Sequence, residues 1–359
     1  MGLKILTYKE IDRSQWGRLV RESETGNWFQ TPEAYALFAS MPDLFRPFAI
    51  AVTGDGLQVT GDPAFNAGLT DGETLRGVCV GYVTRESNKL KQFFTRRAII
   101  NGGICCANDA TNEEVMILLT AVRKQLNSKT IYIETRNFED YSPWKEAFEA
   151  AGFSYKKHLN FHVDCMDEEV MWERLSENRR RQLKKSAAIS ELAISELEIK
   201  EWYGILERLY KTKVKTPLWP VEFFLEAYRQ GVGKFLLVKH NNHVIGGSMV
   251  VVKELGNERV IELGKGCVYE WFECGMNAEY KEQYPSVKAT WAGMKLAWMT
   301  GCARYDMMGA GEPGVPYGVR DFKSEFGGEL VEQGRFLCVT QPILYKLGVF
   351  AVRLLKRIK

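Results

Sequence analysis

A lysine between two phenylalanines is the strongest candidate for chemistry in this chain. Lys323 lies within segment 317–330, where Phe322 and Phe326 are spaced i, i+4 and glycines follow at 327–328. The spacing predicts a short helix whose phenylalanines pack inward, with the ammonium beside an apolar face and partly removed from water. A cation in that position can stabilise the oxyanion that develops during acyl transfer. A surface lysine lying over two aromatic rings is the alternative interpretation.

A predicted strand and a glycine-rich turn precede this helix. The strand is Tyr305-Asp306-Met307-Met308, and segment 309–314 matches G-x-G-x-x-G literally. Pro313 keeps the chain irregular to about Tyr317, whereas a dinucleotide site needs the glycines to open a helix. We therefore predict a substrate-lining loop. Asp306, at the strand edge, could orient an incoming amine, and a surface or capping role stays open.

Five cations crowd one predicted helix. They are Arg179, Arg180, Arg181, Lys184 and Lys185. On a helix, Arg180 and Lys184 stack at i, i+4, where like charges repel by about 0.2–0.5 kcal/mol per pair. The phosphates of a nucleotide-linked precursor, a lipid pyrophosphate or a tRNA would relieve that repulsion. A solvated linker helix is the alternative.

An internal repeat predicts two domains of similar α/β build. Phe148 and Phe322 are 322 − 148 = 174 positions apart, and at the same offset Ile133 falls on Met307. Both halves show a helix, a strand, a helix ending in glycine and another strand. We predict a first domain over residues 1–165 and a second over 166–359.

Several elements are predicted around these motifs. A strand is expected over Tyr155–Val163, a helix over Asp167–Ala188 and a helix over Pro32–Ala39 with Thr31 as its N-cap. A hairpin over Phe235–Val252 is expected to turn at Asn241-Asn242. The polar segment Thr53–Glu73 is expected to be a loop.

Bulk composition is that of an ordinary globular protein. The 359 residues carry a net charge of only +3, so any basic surface is local and DNA binding is not expected. Eight cysteines without a C-x-x-C pair predict buried free thiols in a reducing compartment. His158 and His162 share a strand face without a third ligand, so no metal site is predicted. Lys4 interrupts any signal-peptide core, and a cytoplasmic location is expected.

The C-terminal segment 342–359 has an amphipathic pattern. Apolar residues recur at helical spacing at Ile343, Leu347, Phe350/Ala351, Leu354 and Ile358, and basic residues lie off that stripe at Lys346, Arg353, Lys356, Arg357 and Lys359. We predict that the stripe packs onto the second domain. Peripheral docking at the inner face of an anionic membrane is the alternative.

The basic helix and the segment 305–330 together resemble the FemABX family, and Phe-Lys-x-x-Phe-Gly-Gly at 322–328 is the sharpest point of contact. Members of that family are tandem GNAT-like transferases that pass aminoacyl groups from charged tRNA to peptidoglycan precursors. The resemblance implies an α/β fold with mixed sheets in two GNAT-like modules. It also implies that Lys323 contacts the substrate and stabilises charge at the reacting carbonyl or phosphate, and that Arg180 and Lys184 hold phosphate. Substrate-binding roles are expected for Phe322, Tyr317 and Arg320.

The function implied is amide formation on a nucleotide- or lipid-linked muropeptide, with aminoacyl-tRNA as co-substrate and no bound cofactor. Acyl-CoA or an acyl-carrier thioester acting on an envelope sugar is one alternative, although no clean Q/R-x-x-G-x-G/A pyrophosphate motif occurs. A non-catalytic module that binds an anionic glycan or RNA is the other. The chain departs from the family pattern at Asn101-Gly102-Gly103, where Arg-Gly-Pro is expected, and Ile189–Lys200 is too short for a coiled-coil arm.

Overall fold

The computed structural model describes residues 2–55, 73–253 and 266–358. The chain folds into two compact units, one formed by residues 1–157 with 333–359 and the other by residues 158–332. These units do not coincide with the predicted division between residues 165 and 166. The C-terminal segment returns to the first unit because its strand pairs there, and the second unit begins with the strand at 160–164.

The first unit is built on an eight-stranded sheet. Its strands are β1 (Lys4–Thr7), β2 (Phe45–Asp55), β3 (Glu73–Thr84), β4 (Ala98–Gly102), β5 (Cys105–Cys106), β6 (Tyr132–Asn137), β7 (Ser154–Lys156) and β15 (Arg335–Val339). Its helices are α1 (Arg13–Glu22), α2 (Pro32–Ala39), α3 (Lys89–Thr95), α4 (Asn112–Leu126), α5 (Lys145–Ala150) and α12 (Pro342–Ile358). The strand order is β1-β2-β3-β4-β6-β15-β7, with β5 paired to β3.

The second unit contains a seven-stranded sheet. Its strands are β8 (Asn160–Asp164), β9 (Ile189–Leu192), β10 (Lys234–His240), β11 (His243–Val252), β12 (Cys267–Gly275), β13 (Arg304–Gly309) and β14 (Glu329–Val331). Its helices are α6 (Glu168–Arg174), α7 (Glu177–Lys185), α8 (Glu196–Leu209), α9 (Val221–Arg229), α10 (Pro285–Met299) and α11 (Gly318–Ser324). The strand order is β14-β8-β13-β12-β11-β10-β9.

The two sheets match strand for strand. Starting from the edge strands β1 and β9, each sheet shows three antiparallel pairings, then one parallel pairing, then two further antiparallel pairings. The parallel pairing joins β4 to β6 in the first unit and β12 to β13 in the second. Phe148 and Phe322 lie on the equivalent helices α5 and α11. The predicted mixed α/β fold with two repeated modules is confirmed.

The sheet of the first unit is covered on both faces. Along β2, Phe48, Ile50 and Val52 belong to the core beneath α4, whereas Ala49 and Ala51 belong to the core beneath α1. Apolar residues therefore occupy successive positions of the strand, as expected where both faces are buried.

Local signals fixed several elements as predicted. The Thr31 side chain accepts a hydrogen bond from the Ala34 amide, and Pro32 occupies the first helical position of α2. Asn241 and Asn242 form the hairpin turn with φ of 50° and 62°, the left-handed pair that a two-residue turn requires.

Two predicted elements are each divided in the structure. The expected strand Tyr155–Val163 is two strands, β7 and β8, which pair in different sheets. The expected helix Asp167–Ala188 breaks at Leu175, where Ser176 starts α7 by accepting a hydrogen bond from the Arg179 amide at 3.2 Å. Of the expected loop Thr53–Glu73, the ends belong to β2 and β3, and residues 56–72 lie outside the described part.

The predicted packing of the C-terminal stripe is wrong for the residues whose side chains are described. Ile343, Leu347 and Phe350 on α12 are 77%, 54% and 66% exposed. The helix belongs to the first unit, where Tyr345 contacts Tyr132 with ring centroids 5.6 Å apart. The remaining predicted members of the stripe and its basic flank, residues 353–359, have side chains outside the described part.

The eight cysteines are free and buried, as predicted. Within the described residues, no helix combines the length and the apolar character needed to cross a membrane.

Candidate functional site

The parallel strands β12 and β13 separate partway along their length. Their ladder covers three positions and ends with Tyr269 opposite Asp306. Beyond that point β12 stays paired with β11 as far as Gly275, while β13 follows β8 as far as Gly309. The residues that follow the last paired position therefore border a gap in the sheet.

Lys323 is buried at this gap. Its side chain comes from α11, and the residue is only 7% exposed. Nζ donates hydrogen bonds to the carbonyl oxygens of Met307 and of Gly309, the latter at 2.9 Å. Both carbonyls belong to β13 beyond its last pairing with β12. The predicted partial desolvation of this lysine is thus a nearly complete burial.

Three carboxyl groups act electrostatically on the Lys323 ammonium. Burial lowers the pKa of Lys323, and the charges of Glu270, Asp306 and Glu273 oppose that shift. A buried cation needs such compensation, because removing it from water without a partner is costly. The lysine and these carboxyls form one charge cluster in the second unit.

Glu270 and Glu273 reach the same face of the sheet because β12 contains a bulge. Val250 pairs with Glu270 and Ser248 with Glu273, so Trp271 is the extra residue. Without the bulge, residues three apart would point to opposite faces. The bulge therefore places two carboxyls on one face beside the gap.

Glu270 is held by a buried tyrosine. Tyr305 Oη donates to Glu270 Oε2 at 2.5 Å, and Thr290 Oγ1 lies 3.4 Å from the same oxygen. Burial raises the pKa of Glu270, while the positive charge of Lys323 and the hydroxyl donors oppose the shift. The Tyr305 ring packs against Gly293 of α10, where a Cβ would lie 2.4 Å from the hydroxyl oxygen.

Glu273 is a carboxyl of this group whose pKa is strongly raised. Burial, reinforced by the negative charge of Glu270, raises the pKa of Glu273 to about 8. The residue as a whole is half-buried, but Oε1 is fully buried and lacks a hydrogen-bond partner among the described residues. A carboxyl with a pKa near neutrality can accept a proton under physiological conditions.

Asp306 organises the backbone that holds Lys323. Its Oδ1 accepts a hydrogen bond from the Met308 amide at 2.6 Å, and Met308 has a φ of 58°. A left-handed conformation is uncommon for methionine, and this side-chain contact helps to hold it. Asp306 Oδ2 lies 3.3 Å from His162 Nε2 on β8. Burial would raise the pKa of Asp306, but the neighbouring His162 and Arg304 bring the net shift below the usual value.

The basic helix α7 is joined to α11 by Arg179. Its guanidinium lies over the rings of Phe322 and Phe326, with Cζ 4.6 and 5.3 Å from the centroids, and NH2 is 3.2 Å from Glu325 Oε1. The Glu325 carboxylate also accepts from the Ser176 hydroxyl at the N-terminus of α7, at 3.1 Å. The two predicted motifs therefore form one packed assembly.

The cations predicted to hold phosphate lie on the outer part of this helix. Arg180 is half-buried and donates to the Glu173 carbonyl at 2.6 Å, and exposed Lys184 lies with Nζ 5.8 Å from the Trp172 ring centroid. Among the described residues, no hydrogen bond or ion pair connects either cation to Lys323.

Arg320 and Tyr317 flank the glycine-rich loop. Arg320 donates to the carbonyl oxygens of Ala310 at 2.8 Å and Glu312 at 2.5 Å, so its guanidinium holds the loop. Tyr317 is exposed beside Gly311, where φ is 81° and a Cβ would lie 3.0 Å from the tyrosine ring. Phe322 is half-buried, with its ring 5.2 Å from that of Phe326, so the predicted packing of the two phenylalanines is confirmed.

Sequence reasoning missed four residues of this assembly. They are Glu270, Glu273, Arg179 as a packed residue, and Glu325. The signal for the glutamates is two acidic residues within the otherwise apolar run Cys267–Gly275, which forms β12. No local signal separates Arg179 from its basic neighbours, because its burial depends on the position of α11.

Comparisons with known proteins agree with this architecture. The FemAB family model matches residues 261–353, which include β13, the glycine-rich loop and α11. The resemblance to the FemABX family is confirmed. A crystal structure of FemX superposes with a TM-score of 0.67 at 13% identity, covering 97% of this chain and 99% of that chain.

Two further structures share the fold. L-PGS from Bacillus licheniformis has a TM-score of 0.51 at 10% identity, covering 97% of this chain and 98% of its own. A tandem GNAT protein from the clavulanic acid biosynthesis pathway has a TM-score of 0.50 at 9% identity, covering 94% of this chain and 99% of its own. No curated protein sequence matches the chain. The family match and the GNAT-type neighbours together support a transferase.

Proposed function

We propose that this protein is a FemABX-type acyltransferase that forms an amide on an amine-bearing cell-envelope precursor, with aminoacyl-tRNA as donor. The observation that carries the proposal is the burial of Lys323 where β12 and β13 separate. An ammonium group has three N–H donors. Two of them meet the carbonyls of Met307 and Gly309, which leaves the third for a reacting group.

The remaining Lys323 donor suits the oxyanion of an acyl-transfer intermediate. The acceptor nitrogen attacks the ester carbonyl carbon, a C–N bond forms, and the C–O bond to the ribose breaks. Negative charge collects on the former carbonyl oxygen before that bond breaks. A donor fixed in a buried site can lower this barrier by about 2.7–4 kcal/mol.

Glu273 is proposed as the group that takes the proton from the attacking amine. Its pKa is raised to about 8 by burial, so about a tenth of the carboxyl is the ionised base at pH 7 and about half is at pH 8. The proton then leaves with the ribose hydroxyl, so that the carboxylate is restored after each cycle. Asp306 is proposed as a positioning residue that acts through the Met308 turn and the two carbonyls on either side of it.

Arg180 and Lys184 are proposed to hold a phosphate of the acceptor. Support comes from the Arg179–Glu325 contact, which fixes the basic helix to the helix that carries Lys323. Tyr317 is exposed beside the loop and is proposed to line the substrate path with Phe322. Arg320 contributes by keeping the loop in shape.

Acyl-CoA is a second candidate donor, and the gap in the sheet favours it. Where β12 and β13 separate, their facing edges are not paired with each other. Unpaired strand edges can hydrogen-bond an extended, amide-containing chain such as the pantetheine arm of an acyl thioester. In this version Lys323 and Glu273 keep their roles, and a thiolate is the leaving group.

A donor panel tests the proposal and separates its two versions. The protein is incubated with a nucleotide-linked muropeptide and either charged tRNA or acyl-CoA, and products are measured by mass spectrometry. We expect a muropeptide heavier by one aminoacyl group only with charged tRNA, and loss of that product in Lys323→Met. Lys281→Met, an exposed lysine of the same unit, is the matched control. Product with acyl-CoA alone would support the second donor. No product with either donor would contradict acyl transfer and favour a non-catalytic module that binds anions.

A further inference from the structure

Helices α3 and α12 carry an exposed apolar surface that the proposed reaction does not use. The two helices lie side by side in the first unit. On α3, Leu90, Phe93 and Phe94 are 70%, 44% and 51% exposed, and on α12 the exposed residues are Ile343, Leu347 and Phe350. Six large apolar side chains from two adjacent helices exceed the scattered exposure that soluble surfaces normally show.

Contacts on the opposite sides of α3 and α12 keep these apolar side chains facing solvent. The opposite side of α12 is fixed by the Tyr345–Tyr132 ring contact and by the Gln341 side chain, which donates to the Asn127 carbonyl at 3.4 Å. On α3, Gln92 donates to the Thr84 carbonyl at 3.0 Å. The inner faces are therefore occupied, and the six apolar residues stay exposed, although the Phe93 and Phe94 rings contact each other with centroids 5.1 Å apart.

Basic residues alternate with the apolar ones on both helices. Lys89 and Lys91 lie on α3, Lys346 lies on α12, and the Arg96 guanidinium stacks over the Phe93 ring at 4.7 Å. Neither helix contains an acidic residue. A salt bridge joins Lys91 of α3 to Glu86, with Nζ 2.7 Å from the carboxylate oxygen. The surface is thus apolar with a positive border.

We propose that α3 and α12 together form a docking surface for an anionic lipid bilayer. Apolar side chains of such a surface enter the boundary between headgroups and acyl chains, while lysines and arginines meet the lipid phosphates. A second copy of the chain fits poorly, because a two-fold contact would bring the same positive border against itself. The inference does not depend on the proposed acyl transfer.

Vesicle binding of the full chain tests the proposal. We expect binding to vesicles of phosphatidylcholine mixed with phosphatidylglycerol, weak binding to phosphatidylcholine alone, and weakening by salt. The variant Phe93→Ser/Phe94→Ser/Leu347→Ser should lower the partition coefficient by at least about tenfold. Ile194→Ser/Leu197→Ser is the matched control, because these exposed residues belong to the second unit. It should bind like the unmodified chain.

An environment-sensitive label gives a direct readout. The eight native cysteines are buried, so a fluorophore can be attached selectively to Leu347→Cys. Its emission should shift to the blue with the anionic vesicles and not with phosphatidylcholine alone. Equal binding of the triple-serine variant, an unshifted label, or dimerisation in solution that the serines abolish would overturn the proposal.

Discussion

The two units have the same sheet order but differ where their parallel strands meet. In the first unit β4 and β6 stay paired over five positions, from Ala98 opposite Ile133 to Gly102 opposite Asn137. In the second unit the equivalent ladder of β12 and β13 has three positions and then opens. The same fold therefore provides a closed sheet in one unit and a gap in the other.

The residues at the equivalent positions differ accordingly. In the first unit, Phe148 is stacked on Phe336 with centroids 3.9 Å apart, and the following residue is Glu149, which is exposed. In the second unit, the residue after Phe322 is the buried Lys323. The position 174 before Asp306 is Tyr132, which packs on Tyr345. The comparison shows that the shared fold alone does not make a site: in the second unit a buried lysine and compensating carboxyls lie where the parallel strands separate.

The largest expected effect is at Lys323. Lys323→Met removes the donor but keeps most of the aliphatic volume, and should reduce turnover by about a hundred- to a thousandfold with little change in substrate binding. Lys323→Arg keeps the charge on a broader group and should also be impaired. At the equivalent position of the first unit, Glu149→Met should leave turnover unchanged. Equal turnover of the wild type and Lys323→Met would mean that Lys323 is no more important for activity than Glu149, its counterpart in the first unit.

Glu273 should give the next largest effect, with a pH signature. Turnover should rise with pH and level off above about 8, because the carboxyl must lose its proton to act as a base. Glu273→Gln should abolish that rise and lower turnover by about a hundredfold. A pH–rate profile that keeps its shape in the variant would assign the base elsewhere.

Glu273 should also make stability depend on pH, but in the opposite direction to turnover. Folding raises the pKa of Glu273 from 4.5 to about 8. Between these two pH values the carboxyl is therefore mostly protonated in the native state and mostly ionised in the unfolded chain. This group should therefore lower the free energy of unfolding as pH rises through that window. Thermal unfolding of Glu273→Gln should show a weaker decline over the same range.

Arg179 should matter for stability more than its neighbours do. Arg179→Met leaves Glu325 without its ion pair and removes the guanidinium from two phenylalanine rings, so we expect a loss of about 1–3 kcal/mol in the free energy of unfolding. Arg180→Met is the matched control and should stay within about 0.5 kcal/mol. Denaturant titration measures both, and equal effects would contradict the inward packing.

The smallest expected effect concerns binding by the outer cations. Arg180→Ala with Lys184→Ala should weaken precursor binding by about tenfold and flatten its dependence on salt, because two charges that meet phosphate are lost. Titrations at several salt concentrations provide the measurement. Unchanged affinity at every salt concentration would mean that α7 is only a solvated helix.

Part of the site could be predicted because its signals are local. Phe322, Lys323 and Phe326 are spaced for one face of a helix, and the structure buries the lysine beside β13 more completely than the partial desolvation predicted from that spacing. Glu273 could not be assigned in the same way. The face of the sheet to which the Glu273 side chain points depends on the bulge at Trp271, and that bulge depends on the register with β11. The roles of Arg180, Lys184, Tyr317 and Arg320 in binding stay predictions.

Elements whose causes lie within a few residues follow from the sequence alone. Thr31 and Pro32 begin α2, Asn241-Asn242 turn the hairpin, and the 174-residue offset marks the repeat. By contrast, the crossing of the chain to the second sheet near His158 and the return of β15 to the first depend on long-range strand pairing. Strand partners lie far apart in sequence, and no short-range pattern specifies which edge a strand will join. The same reason applies to Arg179: its burial, unlike that of Arg180, is decided by the helix that packs against it.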